Sequence, residues 1–278
     1  MNLLAQPPLF WEGFVLVLCR VGAVLMIAPI FGHRSVPAQV RVALAVLLSL
    51  VMLPTAAGAR GALPPLPESL VTWTGLIARE LLIGSVIGFA VLLVFLAIQG
   101  AGHAAGLQIG FSLANIVNPL TAEHSSLVDQ FYTQLAVLVF LAMDGHHALL
   151  IALQQTFDLV PLAGGGLRAQ PGGPDLLGLG LDPLAARGAW PAVLNLGGEV
   201  FLLAARIALP VMAALLLADV ALAIVARAVP QLNVFVIGIP AKLGLGLIML
   251  LVTVPVTAQV MARAFAALGP ILALALRG

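Results

Sequence analysis

The side chains able to do chemistry are few, and most sit alone in apolar surroundings. Asp144-Gly145-His146-His147 is the one place where a carboxylate and two imidazoles adjoin in sequence, and the chemistry of such a group would be metal ligation. Neighbouring helical positions do not face the same way. No histidine follows at i+4, and the single cysteine, Cys19, is remote, so no metal is expected there and Cys19 is expected simply to pack. Asp129 and Asp219 lie in apolar runs, and two carboxylates sharing a proton are what an aspartyl protease requires. Their surroundings, LVDQF and LADVA, lack the glycine-containing motif of that class. GxSxG, HExxH and P-loop patterns are all missing, the sole lysine being Lys242 in IPAKLGLG. Neither an enzyme nor a cofactor is expected.

What remains is charge in the wrong solvent. Arg20, Arg79, Glu80, Asp219 and Arg227 fall within or beside apolar stretches, where a charge costs about 2.5–3.5 kcal/mol on insertion scales and so faces a partner or water. These five are expected to be buried charges. Asp219 and Arg227 are eight residues apart, about 80° around a helix, and are expected to share a polar face. Arg20, midway along the first apolar segment, needs an acidic group or backbone carbonyls beside it. Small residues recur at four-residue spacing in Gly84 and Gly88 and in Gly102, Gly106 and Gly110. Without side chains, one face of the helix carrying Gly84 and Gly88 admits a neighbouring backbone, so a close helix contact is expected there.

The elements that position these residues follow from composition. Of 278 residues, 62% are hydrophobic and 8% charged, against about 25% charged in soluble domains. The net charge of +1 is spread over single residues without a basic cluster, so no nucleic acid is expected, and the partners are protein and lipid. A spanning helix needs about 20 apolar residues. Candidates lie at 9–30, 41–57, 70–99, 127–153, 200–228 and 243–268, giving an all-α membrane protein of about six partly kinked helices in a single domain, 1–278. The opening lacks a positively charged start and Arg20 interrupts its apolar run, so a cleaved signal peptide is not expected. Sparse arginines give no orientation by the positive-inside rule.

From Leu81 to Ala122 no formal charge occurs, and as one helix this run would extend about 63 Å, twice a hydrocarbon core. It is expected to break at Gly100-Ala101-Gly102 and at Asn118-Pro119, leaving 100–122 as an apolar re-entrant or plug-like loop. Irregular backbone of that kind survives in a membrane only against protein or a water-filled cavity. Further breaks are expected at Pro54, at Pro64-Pro65-Leu66-Pro67 and in a polar Gly/Pro-rich loop over 158–199. Kinks are expected at Pro29, Pro210, Pro240 and Pro255. A secondary transporter or ion channel would share broken helices and intramembrane charges, but no internal repeat is visible.

Five blocks resemble the FliR family of flagellar type III export proteins, in matching order and across essentially the whole chain. They are PIFGHRSVPAQVRVALAVLLSLVMLP at 29–54, ARELLIGSVIGF at 78–89, LQIGFSLANIVNP at 107–119, MDGHH at 143–147 and ARAVPQLNVFVIGIPAKLGLG at 226–246. Virulence secretion homologues share the plan, and the PxFG-xRSVPxxxR-like opening favours the flagellar branch. The resemblance implies a single-copy structural subunit that assembles with FliP and FliQ into a closed hetero-oligomeric export gate at the inner membrane. It implies that FlhB and FlhA act with that gate and that exported flagellar proteins pass through it. It also implies tilted helical hairpins, partly lifted out of the bilayer, rather than six conventional spans, and a channel plug at the positions matching 106–122, in which Leu107, Ile109, Phe111, Leu113, Ile116 and Val117 would seal, Gly106 and Gly110 would ease rearrangement and Asn118-Pro119 would fix the end.

Overall fold

The computed structural model describes residues 8–32, 35–56, 69–110, 127–162, 189–229, 231 and 233–277. Among these, regular structure is entirely helical. The helices are α1 (Pro8–Ile27), α2 (Ala38–Ala56), α3 (Leu70–Ile109), α4 (Leu127–Ala142), α5 (Gly145–Leu159), α6 (Ala189–Ala228) and α7 (Val234–Arg277). Five are long and apolar enough to cross a membrane, and α4 with α5 forms a sharply bent pair that would supply a sixth crossing.

Proline chemistry sets several ends. α1 stops one residue short of Ala28-Pro29, because the residue before a proline is driven out of the helical region. Pro29 therefore closes α1 rather than kinking it. α2 opens directly after Pro37, whose carbonyl accepts from the amides of Val40 and Arg41. Pro54 does not end α2, which runs on to Ala56. Pro210, Pro240 and Pro255 all fall inside helices, which lipid-embedded helices tolerate when neighbours re-satisfy the freed carbonyls.

The expected break at Gly100-Ala101-Gly102 is absent. α3 continues for 40 residues to Ile109, because glycine keeps its amide and costs only about 1 kcal/mol relative to alanine in a helix. Termination comes at Gly110, whose φ of 103° is a left-handed cap, its amide reaching the carbonyls of Gly106 and Leu107 at 3.2 Å. The expected span 127–153 is likewise corrected. It breaks at Met143-Asp144, where Asp144 holds a φ of 54°. α6 starts at Ala189, so the expected loop 158–199 loses residues 189–199 to helix, with Pro191 tolerated in the first turn. Pro64-Pro65-Leu66-Pro67 lies outside the described residues.

The chain forms two compact units. One comprises Met1–Leu93, Asp144–Leu196 and Ala267–Gly278, the other Val94–Met143 and Gly197–Ala266. In the first, α1 packs on α2 and α2 on α5, around Leu16, Val17, Val21, Ile83, Ile87 and Leu153. In the second, Phe95, Phe140 and Phe265 meet with ring centroids 5.0–5.9 Å apart. Tyr132 is buried beside the hydroxyls of Thr253 and Thr257.

Two nearby glycines of α3 are expected to respond oppositely to the same change. A Cβ on Gly100 meets nothing within 4 Å, whereas on Gly102 it would lie 3.0 Å from the Tyr132 ring and 3.1 Å from Asp129 Cα. Gly100→Ala should stabilise the protein by about 0.5–1 kcal/mol. Gly102→Ala should lose that gain or destabilise, because α4 is in the way. Thermal unfolding in detergent checks this, and equal shifts for both variants would contradict the close α3–α4 contact.

Candidate functional site

Arg20, fully buried in α1, is the centre of the first unit's polar network. Its Nε donates to Glu80 Oε2 of α3 at 2.6 Å, both side chains being 0% exposed. Nη1 donates to Thr156 Oγ1 of α5 at 3.2 Å, and Nη2 to the Val160 carbonyl at 2.9 Å. Phe157 lies beneath the guanidinium, 4.3 Å from ring centroid to Cζ, adding cation–π attraction. Thr156 in turn donates to the Leu153 carbonyl. Three helices are thus tied by one side chain. Glu80 Oε1 is buried with no hydrogen-bond partner among the described residues, and Arg79 is buried as well. The sequence supplied the need for a carboxylate or carbonyls near Arg20. Thr156, Phe157 and the Val160 carbonyl carry no signal of their own there.

Close approach makes the network possible. A Cβ on Gly84 would collide with the Arg20 carbonyl and lie 2.8 Å from Ala23 Cβ, and one on Gly88 would lie 2.9 Å from Ile27 Cβ. Both glycines therefore face α1.

In the second unit, Asp219 of α6 is held by Lys242 Nζ of α7 at 2.8 Å and by Gln108 Nε2 of α3 at 2.9 Å. The expected Asp219–Arg227 face is not formed. Arg227 is exposed in the last turn of α6, where a cation complements the helix dipole, and it is not a buried charge of this chain. Asp219 is 39% exposed at the side chain. The signal for its partner was present, since a lone lysine in an apolar run must find an anion. His103 Nδ1 lies 3.2 Å from the buried Asp129 carboxylate, a pair that sequence reading missed.

Of the expected plug residues, Gly106, Leu107 and Ile109 belong to the end of α3 and Gly110 caps it. Gly106 and Ile109 are buried and Leu107 is exposed. Ile109 packs where a Cβ on Gly246 of α7 would sit, 2.6 Å from its Cγ1. Phe111, Leu113, Ile116, Val117, Asn118 and Pro119 lie outside the described residues. At the other break, the imidazoles of His146 and His147 lie tilted by 36° against one another with centroids 4.3 Å apart, although adjacent helical positions were expected to diverge. One ligand atom from each, with one from Asp144, lies within 4.8 Å of the others.

The family described as "Bacterial export proteins, family 1" matches residues 11–268, which takes in all the residues of these networks. The flagellar biosynthetic protein FliR of Bacillus subtilis (strain 168) is 34% identical over 255 residues, 92% of this chain and 91% of that protein. The protein of the same name from Escherichia coli (strain K12) is 31% identical over 253 residues, 90% of this chain and 85% of its own. The Yop proteins translocation protein T of Yersinia pestis is 26% identical over 250 residues, 90% of this chain and 87% of its own. With a match over nearly its whole length and the all-helical, multi-span architecture described above, the chain belongs to family 1 of the bacterial export proteins.

Proposed function

We propose that this chain is a structural subunit of the flagellar type III protein-export gate in the inner membrane. In this reading it assembles with FliP and FliQ, acts with FlhB and FlhA, and helps form a closed channel for unfolded flagellar proteins. The observation that supports it is a mismatch of length. The 40 residues of α3 extend about 60 Å, while a helix tilted by about 40°, the steep end of the usual range, travels only about 39 Å through a 30 Å core. The apolar stretches Gly197–Ala228 and Val236–Ala267 are 32 residues each, about 48 Å, and only 22% of an 18-residue apolar window in each is buried within this chain. Apolar surface that lipid cannot reach must be covered by protein. A lone transporter has no such cover, whereas a multi-subunit wall supplies it.

The segment after Gly110 is the proposed plug. It follows a helix that ends on a positive-φ glycine, and its side chains Phe111, Leu113, Ile116 and Val117 suit a constriction that gates by dewetting. One experiment tests subunit and plug together. Parent and a variant lacking residues 110–115 are purified with and without FliP and FliQ, then reconstituted for ion flux. The parent is expected to require both partners for a monodisperse species. The deletion is expected to assemble comparably and to leak at least about tenfold faster, since an open aqueous path replaces an apolar seal. A stable chain without partners would defeat the subunit reading. An assembled deletion complex as tight as the parent would defeat the plug.

A further inference from the structure

We propose that Asp144, His146 and His147 form a binding site for a borderline transition-metal dication of the zinc class at the α4–α5 turn. The sequence argument against such a site weighed the two histidines as helical neighbours and left the conformation of Asp144 out of account. Asp144 instead precedes α5 in a left-handed conformation, φ 54° and ψ 31°, and its carboxylate makes no capping hydrogen bond although it occupies the N-cap position. N-cap aspartates ordinarily accept from the first turn's amides. Here the carboxylate lies 3.5 Å from His147 Nδ1. His146 Nδ1 is screened from solvent and has no partner among the described residues, so a polar nitrogen is held ready with nothing to meet.

Two imidazoles and one carboxylate are a donor set suited to zinc, nickel, copper or iron(II) rather than to magnesium or calcium. Tetrahedral zinc with bonds of about 2.0–2.1 Å places its ligand atoms about 3.4 Å apart. The three candidates already lie within 4.8 Å of one another. The Asp144 and His147 side chains are 74% and 67% exposed, so rotation can close the remaining gap without repacking the core. Three protein ligands would leave a fourth position for water. Bound there, the ion would tie the residue preceding α5 to that helix's first turn.

The test uses the full chain in detergent, with its complex if that is needed for stability and with no polyhistidine tag anywhere. Co²⁺ is titrated as the probe and Zn²⁺ as competitor. One saturating Co²⁺ per chain is expected, with a visible ligand-field band that one equivalent of Zn²⁺ abolishes. Loss of a second-shell group typically weakens metal binding 10–100-fold. Loss of a ligand in His147→Ala or Asp144→Asn should therefore weaken it at least about tenfold, while His103→Gln leaves it unchanged. Both substituted positions are exposed, and an unaltered elution profile shows that the variants remain folded. A titration that does not saturate would overturn the proposal. So would binding indifferent to His147→Ala, or binding equally sensitive to His103→Gln.

Discussion

Glu80→Leu is expected to cost about 3–5 kcal/mol, because it leaves the Arg20 guanidinium buried without its counter-charge. The whole stability of a domain is typically about 5–15 kcal/mol, so the variant should accumulate poorly or fail to assemble. The remaining contacts of Arg20, to Thr156 Oγ1 and the Val160 carbonyl, satisfy protons but not charge. The double variant Arg20→Leu/Glu80→Leu should recover most of the loss, since replacing both members of a buried pair by apolar groups is often neutral or stabilising. Recovery separates a charge effect from a packing effect. Thermal unfolding and complex yield for the four proteins of this cycle give the measurement. A Glu80→Leu protein as stable as the parent would show that water or another group neutralises Arg20.

The second large effect is expected at Gly84. A single methyl group there meets the backbone carbonyl of Arg20, and backbone cannot rotate aside as a side chain can. Gly84→Ala should destabilise by about 3 kcal/mol, at the upper end of overpacking effects. Gly88→Ala should cost less, because its nearest neighbours, Ile27 Cβ at 2.9 Å and the Val24 carbonyl oxygen at 3.2 Å, stand further off than the Arg20 carbonyl does from Gly84. Gly22→Ala, where nothing lies within 4 Å, is the matched control and should stabilise slightly. Since Gly84 touches the very residue that pairs with Glu80, Gly84→Ala and Glu80→Leu should not be additive. Equal unfolding temperatures for Gly84→Ala and Gly22→Ala would remove the close contact from the account.

Sequence reading did well where a single physical quantity decides. Apolar length located the spanning helices, the absence of side chains at Gly84 and Gly88 marked a contact, and the cost of a lone guanidinium demanded a partner for Arg20. It did less well where two terms of similar size compete. The Gly100-Ala101-Gly102 cluster weakens a helix, but uninterrupted amides and the contact of Gly102 with α4 outweigh that weakness. The apolar run over 127–153 looks continuous in hydropathy, yet Asp144 turns it through a local conformation that composition does not record. Partners far apart in sequence were also hidden. Asp219 was assigned to Arg227, eight residues away on its own helix, while its ion-pair partner Lys242 lies on the next one.

The Arg20 network also constrains the order in which the chain can be built. Its carboxylate is 60 residues downstream and its Val160 carbonyl 140 residues downstream. At about 5–20 residues synthesised per second, Arg20 leaves the ribosome about 3–12 seconds before Glu80 and about 7–28 seconds before Val160. Throughout that interval an isolated arginine near the middle of α1 opposes entry into lipid by about 2.5–3.5 kcal/mol. α1 is therefore a segment whose settled position depends on a helix not yet made. Its final docking lags its own synthesis, timed by the arrival of α3 and completed only when Val160, just past α5, has emerged.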